Sequence, residues 1–578
     1  MKFYRLRTLV VALGAATMAA MAAPATAFEW QVVVNNGDFI PTDLCDPTVP
    51  NPTTPPCSKF NSYNQPSVSA NQVVVIRARS RGGQGMGQPV HGVFTRDMAT
   101  ASRVVKILDR NTAVPQPNNT HYPPSNPLLT MFTEPPSFPR IDIWSDTVAT
   151  RGNHQPVWTY TLNDGSDTRA GTTGVYTNPF GALITGASKL GPVPEFYFFE
   201  VPEAPGTPFD VFPGAPAVTD SATIVFKGNY TVGASKTGVY YRDLVNSPIP
   251  LDGTSLAPAG STNPIVLIAN NTNTLIPGTS TVFGSTAPPS AADRQAVFAG
   301  FDIEAAPTLG GIYLAPLTPY PLDEQPDLTT LVSIGGQVPG ESRRATFNRL
   351  GEGVSFDGRF VAFWGAWGTE TKTLILQCPT EGNAARNIFC NGQYPDGFAV
   401  QVPVHQGIFV HDIRYGITSV VAKSPKDFDD FVYWNFSGSV PGSGEGDGEP
   451  ARWRSASFLA VSGLVDSSLT DATFHVALKA RTGDVVEGAY ENPVDGIYLR
   501  QGPGQAKILT LVETGMDGTL IDPEAVYIDE ETGESVVLPV TEMGLERDGF
   551  RGNSLAINVS MGTEESGWAG VYLTQVLK

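Results

Sequence analysis

The sequence predicts an all-β fold, a single seven-bladed β-propeller, and three observations carry that expectation. A glycine-opened aromatic strand recurs seven times along the 578 residues. The apolar runs alternate and are rich in β-branched and aromatic residues, with no amphipathic stretch of helical period beyond about ten residues. One part of the repeated phrase is missing at the carboxyl end and turns up at the amino end.

The chain opens on Lys2, Arg5 and Arg7, followed by an apolar run from Thr8 to Ala23 and by Ala25-Thr26-Ala27. That layout is a secretory signal over residues 1–27, too short for a membrane anchor. Residues 28–578 form the expected propeller domain. Each repeat begins with a β-rich run, such as Ala222 to Gly228, Gln295 to Gly300 or Arg359 to Gly365. The glycine strand follows, at Gly92, Gly174, Gly238, Gly311, Gly407, Gly496 and Gly570. An apolar strand and turn completes the phrase, clearest at Leu331 to Gly340 and Leu267 to Gly278.

The copy at Gly570 has no third part after it, whereas Gln31 to Pro41 is a third part with no glycine strand before it. A closed ring needs that arrangement, because its last sheet is completed from the other end and no edge stays exposed. Alternation places Val32 and Val34 on one face of this strand and Val33 on the other. A blade averages about 79 residues against the roughly 40–50 of compact blades, so the surplus is expected in loops.

Composition limits the partners. Lysine and arginine number 37 against 56 acidic residues, a net charge of −19, and the leader contains only basic charges. A nucleic-acid groove or an anionic membrane surface needs basic patches, so neither is expected. No later apolar run is long enough to span a bilayer. The four cysteines fall into local pairs twelve positions apart, Cys45 with Cys57 and Cys378 with Cys390. In an oxidising compartment each pair is expected to bridge a long surface loop.

Chemical motifs are sparse: no HExxH, phosphate loop, dinucleotide fingerprint or GxSxG elbow occurs. His91, His405 and His411 flank glycine strands, but hydrogen-bonded or surface histidines explain them better than a metal site. Two acidic clusters, Asp427, Asp429 and Asp430, then Glu445, Asp447 and Glu449, are candidate calcium ligands, since hard cations take several oxygens. Neither has the spacing of a twelve-residue calcium loop, so a solvated linker is the competing reading. Phe428, Tyr433 and Trp434 surround the first cluster as candidate binding rings for a sugar or a protein. The alternative is that they fill the wedge between blades.

The phrase of β run, Gly-Ile/Val-Tyr/Phe strand and Leu-Val-x-x-Gly-x-x-Val-Pro-Gly resembles repeats of exported bacterial β-propeller proteins of unknown function. The best-matching positions are Gly311-Ile312-Tyr313 and Leu331 to Gly340. The resemblance implies a fold and export, with no activity attached. Some members of that group end in a sorting tail, whereas this chain ends at Thr574 to Lys578 directly after a strand, so a soluble secreted or periplasmic monomer is expected. No catalytic constellation stands out, so the expected function is a non-catalytic binding or structural protein whose ligand is a glycan or an extracytoplasmic protein. The alternative is a polysaccharide hydrolase or lyase built on the propeller.

Overall fold

The computed structural model describes residues 28–41, 58–81, 89–115, 118, 130–154, 158–161, 167–170, 173–179, 181–189, 199–244, 264–319, 322, 324–380, 383–441, 450–464, 473–503, 507–563 and 566–576. Seven antiparallel sheets, each of four strand positions, form the blades of a seven-bladed propeller. Strands within a blade are lettered a to d from the axis outwards. Blade 4 shows the pattern: strand a is split into Ser285–Thr286 and Ser290–Ala292, b is Gln295–Phe301, c is Gly310–Pro316 and d is Thr329–Ser333. The innermost segments are Ser67–Val68, Arg140–Ile141, Ala217–Thr219, Ser290–Ala292, Ser355–Phe356, Leu459–Leu464 and Phe550–Arg551, each beside the next around a closed ring. Seven apolar clusters fill the seven wedges between consecutive blades.

All seven glycine strands are c strands, and the glycine has a packing reason. The aromatic residue two positions on points to the same face and at six of the seven folds back over it, while at Gly311 the Val332 carbonyl of strand d takes that space. A Cβ on Gly238 would lie 2.6 Å from the Tyr240 hydroxyl, and one on Gly496 would lie 2.6 Å from the Tyr498 ring. A phenylalanine from strand a or the segment leading into it then meets that ring edge-on. Five such pairs, Phe60–Phe94, Phe132–Tyr176, Phe209–Tyr240, Phe283–Tyr313 and Phe347–Phe409, have centroids 4.8 to 5.3 Å apart at 80° to 89°. Edge-to-face rings of this kind add about 0.5–1.5 kcal/mol beyond their buried area.

Closure is as the sequence predicts. Trp30–Asn35 is strand d of blade 7 and pairs antiparallel with Gly567–Gln575, Gln31 opposite Leu573 and Asn35 opposite Gly570. The face assignment of its valines is corrected. A β-bulge lies between Val32 and Val34, so Val33 and Val34 both pack in the wedge between blades 7 and 1, while Val32 packs in the wedge between blades 6 and 7. The same extra residue occurs in every d strand, at Ile107, Gly186, Ile268, Leu331, Val421 and Leu511 in blades 1 to 6. Bulges increase local twist, so Val33 carries the signature of a seventh outer strand.

A plug fills the axis. The segment Glu546 to Arg551 leads into and forms the inner strand of blade 7 and holds five other blades. The Asp548 carbonyl accepts from the Val68 amide of blade 1 at 3.0 Å. Arg140 of blade 2 donates from Nε to Glu546 at 2.9 Å and from Nη1 to the Pro289 carbonyl at 2.8 Å. Arg547 donates to the Pro288 carbonyl, and Arg551 to the carbonyls of Phe356 and Val461 in blades 5 and 6. Burial, and then Arg140, push the Arg547 guanidinium down to about 10. Satisfied carbonyls and paired carboxylates make this buried ionic hub tolerable.

One α-helix, Ala384–Gln393, lies in the long b–c connection of blade 5, between the paired strands Thr371–Leu376 and Phe398–Pro403. Cys378 and Cys390 form the expected disulfide, with Cα atoms 5.8 Å apart. The bridge pins this helix rather than closing a plain loop. The Cys45–Cys57 pairing and the signal segment lie outside the described residues. No helix among the described residues is long and apolar enough to cross a membrane.

Candidate functional site

The b–c connections emerge on one face of the ring, and at blade 6 that face gathers a charged aromatic cluster. Its base is a row across neighbouring strands. Asp430, in the segment that follows blade 5, bridges Arg481 near the end of strand b, Thr473–Thr482. Arg481 in turn pairs with Asp495 near the start of strand c, Val494–Gln501; the Thr514 amide donates to the Asp495 carbonyl and the Asp495 amide to the Thr514 hydroxyl. Residues opposite one another on adjacent strands point to the same side, so the three charged groups share one face.

Arg481 grips Asp495 with both ends of its fork, Nε to Oδ1 at 2.6 Å and Nη2 to Oδ2 at 3.0 Å. Its guanidinium also lies 4.9 Å from the Tyr433 ring centre and 4.8 Å from that of Tyr490. Burial works against the charge, yet Asp495 and the two tyrosines outweigh it and hold the Arg481 pKa above the usual guanidinium value. The Tyr433 hydroxyl donates to Asp495 at 3.3 Å, and the Tyr490 hydroxyl donates to Asp430. Burial, then the adjacent carboxylates, raise both phenols well above their ordinary range, so both remain protonated donors.

Asp430 is fully buried and richly served. Its Oδ1 accepts from Gln406 Nε2 at 2.8 Å and from the amides of Phe431 and Val432 at 2.8 and 3.0 Å. Lys372, from the helical insertion of blade 5, lies 3.7 Å from Asp430 Oδ2 and donates to the Asp429 carbonyl at 2.7 Å. Lys479 sits 4.4 Å over the Tyr433 ring and donates to the Met543 carbonyl of blade 7. Burial drives the Lys479 pKa down, against the pull of Asp495 and Glu542.

The candidate residues named from the sequence divide here. Asp430 and Tyr433 join the cluster. Asp429 caps the Gly483 amide at 2.9 Å and Asp427 caps that of Lys423 at 3.0 Å, each engaged by backbone rather than facing a shared centre. Phe428 is buried in the wedge between blades 5 and 6, with its ring 4.4 Å from Tyr498. Trp434 is half-buried between that wedge and the small core of the insertion. Glu445, Asp447 and Glu449 lie outside the described residues. Among the described residues no group of three or more His, Cys, Asp or Glu side chains could hold a metal ion. The histidines are apart: His405 faces Glu370 at 3.5 Å and His411 meets the Thr418 hydroxyl at 2.9 Å.

Sequence reasoning missed Lys372, Gln406, Lys479, Arg481, Tyr490 and Asp495. One signal was available. Asp495 directly precedes a motif glycine, a position at the b–c end of each blade, and its neighbour across the sheet is fixed by the pairing of the two strands.

No protein-family model and no curated protein matches the chain. Among solved structures it is similar to a prolyl endopeptidase, at 10% identity and a TM-score of 0.28, over 86% of this chain and 53% of that one. An ancestral GH74 enzyme matches at 10% identity and a TM-score of 0.27, over 89% and 72%. The tricorn protease matches at 12% identity and a TM-score of 0.14, over 87% and 51%. The chain spans about half the length of the prolyl endopeptidase and of the tricorn protease. These neighbours are all enzymes, which stands against the expectation of a non-catalytic binding or structural protein. None of their activities or substrates transfers to this chain.

Proposed function

We propose that this chain is a propeller-fold hydrolase of polysaccharides, with its active centre in the charged row of blade 6. The observation behind this is the order Asp430–Arg481–Asp495 across the bridging segment after blade 5 and the two adjacent strands b and c of blade 6. Strands lie about 4.8 Å apart, so the two aspartate Cα atoms are about 10 Å apart on one face. Inverting glycosidases use two carboxyl groups separated by roughly 6.5–9.5 Å, which leaves room for a water between them. Asp495, oriented by Arg481 and Tyr433, takes the proton of the attacking water. Tyr490 O–H, still protonated and held beside Asp430, hydrogen-bonds the leaving sugar oxygen, which takes up as its proton the one Asp495 removed from the water.

Export to an oxidising compartment, where the Cys378–Cys390 bridge persists, belongs to the same proposal. So do monomeric function and membership of the exported propeller repeat proteins that the repeat phrase resembles. The test is a reducing-end assay over a panel of neutral and acidic polysaccharides. Turnover of at least one is expected, falling about 100-fold or more in Asp495→Asn. An unsaturated, ultraviolet-absorbing product would replace hydrolysis by elimination. Full turnover in a folded Asp495→Asn variant, or no turnover of any polymer, overturns the proposal.

A further inference from the structure

Blade 1 carries a row in the same register as that of blade 6, with a different charge. Arg79, near the end of strand b, Val73–Ser80, faces Ser62 on one side and His91 on the other. Because Gly92 pairs with Asp109, the next position out is Arg110 beside His91. Arg77, two residues before Arg79, shares that face. The row therefore reads Ser62–Arg79–His91–Arg110, with a third arginine alongside, at the b–c end of the blade and toward blade 2.

The groups facing this cluster can be named. Arg77 is occupied: it donates to Asn64 Oδ1 at 2.6 Å and pairs with Glu134 of blade 2 at 2.8 Å. Arg110 makes a 3.3 Å contact to the Pro89 carbonyl, a neutral partner. Asp109 is turned to the other side, toward Thr112 and Lys106. Among the described residues, the carboxylate that stands against Arg77, Arg79 and Arg110 is that of Glu134. His91 reports the same imbalance: burial first lowers its pKa, Glu134 opposes this, and the fields of Arg77, Arg79 and Arg110 lower it further. Burial first lowers the Arg77 pKa, Glu134 opposes this, and the like charge of Arg79 lowers it further. A chain with net charge −19 nevertheless gathers three arginines here around a single acid among the described residues.

We infer that this row is a binding site for a carboxylate-bearing sugar, so that the polymer recognised is a polyuronate. This rests on the polysaccharide reading and gives it a substrate class. The planar forks of Arg79 and Arg110 match a carboxylate in two-point contact, while His91 between them offers a further ring N–H. A neutral glycan would leave the excess charge unbalanced.

The experiment uses the full chain and measures binding separately from turnover. Oligogalacturonate, a neutral oligosaccharide of equal length and inorganic sulfate are titrated into the wild type and into Arg79→Ala/Arg110→Ala. The wild type should bind oligogalacturonate with an affinity that falls as salt rises, and the double variant should lose at least tenfold. Ligand should also raise the His91 pKa, read by NMR, because a bound anion favours imidazolium. Unchanged affinity in the double variant, equal binding of the neutral sugar, or binding of sulfate alone overturns the inference. If the arginine variant proves unstable, Arg110→Gln alone, read by the His91 signal, decides the matter. Loss of all polysaccharide turnover with arginine-dependent binding intact would sink the hydrolase reading and leave this one standing.

Discussion

Blades 1 and 6 present the same register with opposite electrostatics. In blade 6 the central arginine stands between two aspartates, its fork closed on Asp495 and its face on two tyrosines. In blade 1 the equivalent arginine stands between a serine and a histidine, with another arginine next in line. The backbone frame is shared, so the difference is carried by three side chains: Ser62 for Asp430, His91 for Asp495 and Arg110 for Thr514. A repeated scaffold thus offers one address in several blades and leaves the chemistry there free to change. The row satisfied from within is built to hold carboxylates rigidly. The row left with excess charge is built to receive one from outside.

The largest expected effect is on stability, and it separates the two rows by sign. Arg481→Ala strands Asp495 beside half-buried tyrosines and should cost about 2 kcal/mol, less than a fully buried pair because both partners are partly exposed. Arg79→Ala removes like-charge repulsion and should be neutral or stabilising by a few tenths of a kcal/mol. Urea unfolding of the two variants measures this. Equal losses would mean that the blade 1 row is internally satisfied after all.

A smaller effect follows from making blade 1 resemble blade 6. Ser62→Asp puts an acid opposite Arg79, as Asp430 is opposite Arg481. It should stabilise by about 0.5–1 kcal/mol and weaken oligogalacturonate binding, measured by unfolding and titration of one preparation. A gain in stability with undiminished binding would separate the two properties and break the comparison.

The smallest effect is a pH dependence. The folded pKa of His91 lies below the 6.5 of a free imidazole. Between those two values the unfolded chain binds the extra proton, so stability falls as pH drops through 6.5 toward the folded pKa. His91→Gln should flatten that part of the stability profile. Arg79→Ala should move the His91 resonance titration upward, and no movement would show that burial alone sets it.

Much of this frame is legible in the sequence because it repeats. Glycine at the start of strand c is forced by the ring folded over it or by a carbonyl of the neighbouring strand d, and seven copies make the blade count plain. The Gln31 to Pro41 phrase betrays closure because it is an outer strand without a preceding inner one. The bulge at Val33 is hidden, since one extra residue breaks the two-residue period that would reveal it. The blade 6 cluster is hidden for another reason. Lys372, Gln406, Asp430, Arg481 and Asp495 come from separate strands and connections, and only pairing brings them together. Tyr490 arrives on a hairpin, Val485–Val486 with Ala489–Tyr490, whose position over Asp430 no local pattern announces. The acids around Phe428 and Trp434 leave binding and wedge filling equally legible in sequence, and the wedge between blades claims the first and half-covers the second.

The plug has a consequence for the order of events in folding. Arg140 finds Glu546 across 406 positions, and Thr574 finds the Glu29 carbonyl across 545. Both latches, the axial one and the rim one, are supplied by the last few dozen residues. Six blades can form their own hairpins as they emerge, but they wait as an open arc with a buried arginine unpaired and two raw sheet edges. Contacts of such long sequence separation are slow to form. Completion of the ring is therefore one late, concerted step, and a chain cut before Glu546 loses its axle and its clasp together.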